Sequence, residues 1–262
     1  MGSATTQALS ATTAALSQAK GVTLGTAEEL FAAARLVGGS SQLSGALADP
    51  SATAESREKV IRTVFAGLSA SAQDALVSLS VQRWSDASDL VDGIEELAIR
   101  AVAIAKPKDD IEGELFGFLR VVSGNPELEL ALGSRLGDSE AKGALVEKVI
   151  SGATGAPATL IISSLVRQPR ERRVRQLLNR AIRIVAAQRG LIVATVHTAK
   201  TLSDAQRTRL IDSLSRRYDG QITLTEIIDP HVVGGLRVQV ADDVIDGSIS
   251  ARLADLRQKL AG

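Results

Sequence analysis

The sequence predicts a mostly α-helical protein that ends in a small α/β domain. Three observations predict it. The 262-residue chain is 45 % apolar but only 2 % aromatic, so its cores are built from Leu, Val, Ile and Ala. Alanine loses no side-chain entropy in a helix, which favours helices in such a chain. Apolar residues recur at helical spacing up to about residue 189, with breaks at Gly and Pro. From Leu191 onward short β-branched and alternating segments replace that pattern.

Taken in order, helices are expected near Thr5–Gln18, Ala27–Val37, Glu55–Phe65, Ser71–Gln82, Ala87–Ile104, Ile111–Val122, Glu140–Ile150, Pro157–Val166 and Arg172–Gln188. Pro107 should stop the helix before it. An internal repeat runs through this region. Glu29-Leu30-Phe31 recurs as Glu114-Leu115-Phe116, a shift of 114 − 29 = 85, and Ala46-Leu47 recurs as Ala131-Leu132 at the same shift. Glu58-Lys59-Val60-Ile61 recurs as Glu147-Lys148-Val149-Ile150, a shift of 147 − 58 = 89, which suggests a four-residue loop insertion. The fold expected is therefore two copies of a compact helical-bundle domain followed by a β-α-β-β-β-α unit, divided as 1–106, 107–189 and 190–262.

The copies differ in charge. Residues 27–105 hold eleven acids and six bases, and residues 112–189 eight acids and twelve bases. The contrast peaks near each copy's last helix: Asp86, Asp89, Asp92, Glu95 and Glu96 in the first, Arg167, Arg170, Arg172, Arg173, Arg175, Arg180 and Arg183 in the second. Such faces either dock on each other, select different partners, or are simply solvated; a charge run is usually a solvated helix face. The helix over 172–188 should bury Val174, Leu177, Leu178, Ala181 and Val185 and turn its arginines outward.

In the last quarter, Leu191–Val196 reads as a strand, and Ser203 with Gln206 as a capping box that opens a helix. That helix carries Leu210, Ile211, Leu214 and Tyr218 on one face. Gln221–Ile228 alternates, with Ile222, Leu224 and Ile228 on one side. Asp229-Pro230 makes a turn. Leu236, Val238 and Val240 alternate in a further strand, Asp242-Asp243 turns the chain, and Val244-Ile245 returns. A last helix is expected from about Ser248 to Leu260, where Ile249, Leu253, Leu256 and Leu260 form a narrow apolar stripe. The stripe either simply covers the domain's own sheet or docks in part on a partner helix.

The sequence shows little that could carry chemistry. Formal net charge is zero, so no bulk field draws the chain to nucleic acid or anionic lipid. Without cysteine there are no disulfides or thiolate metal sites, which fits a reducing compartment. No apolar run reaches a membrane span, and no signal peptide is expected. Met1 to Thr6 matches a loose myristoylation pattern, but no basic patch or second lipid site accompanies it. No P-loop, dinucleotide fingerprint or nucleophile elbow occurs. The two histidines, His197 and His231, are weak material for a triad or metal site. Neither Asp109-Asp110 nor Asp242-Asp243 stands out as an acid/base pair. An enzymatic alternative would centre on Gly234-Gly235 and Asp246. A nucleic-acid alternative would use the Arg167–Arg183 cluster, although no aromatic interleaves it for base stacking. No cofactor, metal or catalytic residue is expected.

The C-terminal residues Ile228-Asp229-Pro230-His231-Val232-Val233-Gly234-Gly235-Leu236-Arg237-Val238, then Val244-Ile245-Asp246-Gly247-Ser248-Ile249 and Arg252-Leu253, resemble the delta subunit family of the bacterial F-type ATP synthase, the equivalent of the mitochondrial oligomycin-sensitivity-conferring protein. Gly190–Leu214 is similar to the family's strand-helix unit, and residues 112–189 to most of its six-helix domain. The extra N-terminal copy resembles the long variant found in some bacteria. Neither copy carries the family's Arg-Tyr-Ala-type first helix, which leaves open which copy grips a partner. The resemblance implies a non-catalytic stator subunit, a monomer within its complex, that ties the alpha-beta catalytic head to the peripheral stalk and so couples proton flow to ATP synthesis. The implied partners are the N-terminal segment of the alpha subunit and the C-terminal end of the b subunit, with no nucleic acid. Membrane association, peripheral and on the cytoplasmic side, would come only through the complex. Asp229, Gly234, Gly235, Asp246, Gly247 and Ser248 are the expected fold-defining residues. Ile249, Leu253, Leu256, Leu260, Arg170 and Arg173 are the expected partner contacts.

Overall fold

The computed structural model describes residues 2–134, 138–150, 152–170, 172–229, 232, 234–240 and 243–247. Eleven helices come first among the described residues: α1 (Ser3–Gln18), α2 (Leu24–Gly39), α3 (Ser41–Ala48), α4 (Ala54–Val64), α5 (Ala70–Ser80), α6 (Ala87–Ala105), α7 (Ile111–Gly124), α8 (Pro126–Gly133), α9 (Ser139–Ile150), α10 (Ala156–Arg167) and α11 (Val174–Gln188). Then follow β1 (Leu191–Thr198), α12 (Asp204–Tyr218), β2 (Gln221–Ile228), β3 (Leu236–Val240) and β4 (Asp243–Asp246). The mostly α chain with a small C-terminal α/β part is the fold class expected. Contacts divide it into two compact units, Met1–Val185 and Ala186–Gly262.

In the first unit, side-chain caps open most helices. Thr23, Ser40, Thr53, Ser69, Asp86 and Asp110 each accept from an amide in the first turn of the helix that follows. Each such cap contributes about 1 kcal/mol. Two helices lie where the sequence reading assigns none, α3 and α8. Each has only eight residues, too few to display an apolar period.

Loop lengths reveal the repeat. The five connections of α1–α6 span residues 19–23, 40, 49–53, 65–69 and 81–86. Those of α6–α11 span 106–110, 125, 134–138, 151–155 and 168–173, the same lengths in the same order. No loop insertion separates the copies; the shift varies only with helix length, from 111 − 24 = 87 at the start of α2 and α7 to 124 − 39 = 85 at their ends. α4 and α9 begin 139 − 54 = 85 residues apart, so the Glu-Lys-Val-Ile match at a shift of 89 is one helical turn out of register. Burial fits either shift, since Ile61 meets Val146 at 85 and Ile150 at 89 and all three are buried; the helix bounds favour the shorter one.

α6 belongs to both repeats. Its end lies 105 − 18 = 87 residues after the end of α1, and its start lies 174 − 87 = 87 residues before that of α11. It closes the first six-helix set and opens the second. The helix is accordingly buried nearly all round, with Leu90, Val91, Ile94, Leu97, Ala98, Ile99, Ala101, Val102 and Ala103 in the core. It packs against α1, α2, α3, α5 and α10. The first two expected domains thus form one compact unit around a common helix.

The second unit holds a four-stranded sheet in the order β2-β1-β3-β4. β1 pairs in parallel with β2 and antiparallel with β3, and β3 pairs antiparallel with β4. α12 supplies the crossover between the parallel pair, as parallel pairing requires. Ala194, Val196, Ile222, Val238 and Val240 pack with Leu214, and Leu210, Ile211, Tyr218 and Leu224 lie against them. Ile228, expected on the same side as Ile222, is exposed at the strand end. Asp243, expected in a turn, opens β4.

Candidate partner interfaces

Of the six fold-defining residues expected from sequence, Asp229, Gly234, Gly235, Asp246 and Gly247 lie at the β2–β3 connection and the end of β4. The chain leaves β2 on one side of β1 and must enter β3 on the other. The Asp229 amide donates to the Thr198 carbonyl at 2.8 Å, carrying the β1–β2 pairing one residue further. Gly234 and Gly235 then adopt φ of 66° and 79°, left-handed values that cost a side chain-bearing residue about 1–2 kcal/mol each. The Gly247 amide donates to the Leu236 carbonyl at 2.9 Å, and Asp246 lies opposite Arg237 across the β3–β4 ladder. A Cβ at Gly247 would sit 3.2 Å from that carbonyl oxygen. Ser248, Ile249, Leu253, Leu256 and Leu260 lie outside the described residues, as does His231. His197 sits mid-sheet, in register with Ile227 and Arg237.

Five of the seven arginines of the second repeat, Arg167, Arg170, Arg172, Arg175 and Arg180, are ion-paired within the chain. The Arg172 guanidinium grips Glu95 with two parallel bonds, at 3.0 and 2.7 Å, and reaches Asp92 at 3.3 Å. Arg180 bonds Glu95 at 3.0 Å, Glu96 at 3.2 Å and the Asp92 carbonyl at 3.2 Å. Arg170 pairs with Asp92, and Arg100 holds the other oxygen of Glu96. The Glu95 and Glu96 side chains are only 8 % and 10 % exposed. Burial, with Arg172 and Arg180 close by, pushes Arg170 down to about 10. Elsewhere Arg167 pairs with Glu140 and Glu147, and Arg175 with Glu129.

α11 buries the five expected apolar residues, but it turns Arg180 inward onto α6; Arg173 and Arg183 face solvent. Of the two arginines expected at a partner face, Arg170 is thus occupied within the chain. The opposite net charges of the two copies were the sequence signal for this cluster. Only packing chose docking over solvation.

Large apolar side chains remain exposed on the second repeat: Val121, Leu130 (75 %), Leu145 (59 %) and Val149 (70 %). The first repeat exposes Leu36 and Val64 at the matching places, since 121 − 36 and 149 − 64 are both 85. Among the described residues no group of three or more His, Asp or Glu is arranged to hold a metal ion, and no helix is long and apolar enough to cross a membrane.

The ATP synthase delta (OSCP) subunit family matches residues 97–260 of this chain. The chain belongs to that family. The match begins inside α6, so the family's helical domain starts on the shared helix rather than after it. The ATP synthase subunit delta of Leifsonia xyli subsp. xyli is 46 % identical over 264 residues, 100 % of both chains. Those of Kineococcus radiotolerans and Streptomyces avermitilis are each 38 % identical, covering 90 % of this chain and 88 % of their own. Delta-family relatives therefore share the N-terminal repeat as well as the matched region.

Proposed function

We propose that this delta-family chain is a non-catalytic stator subunit of an F-type ATP synthase, joining the catalytic head to the peripheral stalk. The observation that carries the reading is full-length similarity to delta subunits in a chain whose described residues form helix-bundle and sheet cores. The two repeats sharing α6 make the head-facing part, and the C-terminal unit makes the stalk-facing part. A connector of this kind works through several moderate interfaces in one chain, because joining them raises the effective concentration of each partner. Membrane association is peripheral and comes through the complex.

On the helical side, the apolar face of α9, with Leu145 and Val149 one turn apart, supports docking of an amphipathic segment from the alpha subunit. The stalk's b subunit engages the C-terminal unit. Titration calorimetry of the full chain with peptides of the alpha N-terminal segment and the b C-terminal end tests both arms. Both peptides should bind at tens of micromolar or better. Leu145→Asp with Val149→Asp should weaken the alpha peptide about tenfold or more, leave b binding intact, and leave stability nearly unchanged because both side chains are exposed. Failure of both peptides to bind would overturn the stator reading; binding unchanged in the double variant would remove α9 from it.

A further inference from the structure

We infer that Asp92, Glu95 and Glu96 on α6, with Arg170, Arg172 and Arg180, form a charge-coded clasp that closes the second helical repeat onto the helix it shares with the first.

The equivalent place in the first repeat shows what is special about the second. Moving back 87 residues turns Asp92 into Thr5 and Arg172 into Ser85. There the Thr5 and Ser85 hydroxyls bond at 3.0 Å, and Thr5 donates to Asp89 at the start of α6. The same junction, between first helix and last loop, is thus two hydroxyls and one carboxylate in one repeat and a cluster of six charged side chains in the other.

The shared helix explains why the second junction needs more. α6 buries Leu, Ile, Val and Ala on nearly every side, and apolar packing is non-directional. Faces of such similar chemistry do not by themselves specify which helix lies where, or at what rotation. A buried carboxylate does. Glu95 accepts from two guanidinia whose planes fix the approach of both the 168–173 turn and α11. Buried ionic groups are weak sources of net stability, and their best-attested use is to set register. The turn is bent to deliver them: Arg170 holds a left-handed φ of 48°, and Arg172 also donates to the Pro169 carbonyl. Only two residues separate α11 from β1, so the clasp holds the helix that precedes the C-terminal unit in the chain. The inference holds whether or not the stator reading does.

Amide hydrogen exchange on the full chain tests it. Glu95→Arg should raise exchange across α11 by about a hundredfold, while α2 changes by less than about threefold, because a local opening releases only the clasped element. Adding Arg172→Glu and Arg180→Glu to that variant should return α11 to within about tenfold of the parent. Should Glu95→Arg not fold, Glu95→Gln, which keeps the shape, should give a rise of about tenfold confined to α11 and its turn. Unchanged α11 exchange, an equal rise in α2 and α11, or no recovery in the charge-swapped variant would each overturn the clasp.

Discussion

Gly93, midway along α6, makes room for the only tryptophan. A Cβ there would fall 2.3 Å from the Trp84 ring, whose Nε1 donates to the Leu79 carbonyl at 3.0 Å. The ring is buried at 4 % exposure and cannot swing away without losing that bond. Gly93→Ala, normally favourable in a helix, should instead destabilise by about 1–3 kcal/mol, read as a lowered midpoint in urea unfolding. Gly234 and Gly235 show a different need, a backbone that only glycine adopts freely. Their place between the Asp229-Pro230 turn and a strand is visible in the sequence, whereas the role of Gly93 required knowing where Trp84 goes. Asp86 adds a pH dependence. Its carboxylate accepts the Asp89 amide, with Ser88 as a further donor, and these hold it below the ordinary carboxylate range. A depressed folded pKa contributes stability above the unfolded pKa of about 3.9, and loses it as pH falls through the folded value. The difference in stability between the parent and Asp86→Asn should therefore shrink as pH is lowered from 5 toward 2, since asparagine caps about as well without the charge. A constant difference across that range would refute this assignment.

At the level of elements, the repeat is written in loop lengths and caps more than in matching residues. Glu29 on α2 accepts the Ser69 amide at the start of α5, at 3.1 Å. Glu114 on α7 accepts the Gly155 amide at the start of α10, at 2.9 Å. These are the same bond in two repeats, using the one acidic position that both Glu-Leu-Phe motifs preserve. Glu29→Gln and Glu114→Gln should each cost about 1 kcal/mol, and the double variant about their sum, because the sites share no partner. Denaturant midpoints of the four proteins would settle this; strong coupling would mean the bonds are not independent. Helix type and order were legible because apolar spacing and caps are local. The short α3 and α8 were not, being under three turns long. Nor was the register of α4 against α9 legible, because a helical stripe matches itself after one turn, and Glu-Lys-Val-Ile fits at 85 + 4 residues as readily as the true alignment fits at 85.

Over the whole molecule, the shared helix predicts how the chain comes apart. Because α6 completes both repeats, neither keeps a full core without it. Calorimetry should show the first unit unfolding as one cooperative transition, with at most one further transition for the C-terminal unit. Three resolved transitions would favour the division at residues 106 and 189 instead. The sequence by itself determined the helical and α/β parts, the existence of a repeat, the strand order along the chain, the Asp229-Pro230 turn and the family. Each rests on local periodicity, turn chemistry or an ordered motif, which neighbouring residues suffice to specify. Only the tertiary structure decided that the two repeats share α6, that Glu95 faces Arg172 and Arg180, and that Arg170 is spent inside the chain. Those depend on contacts between residues about eighty positions apart, where packing and desolvation choose among pairings that net charge alone leaves equal.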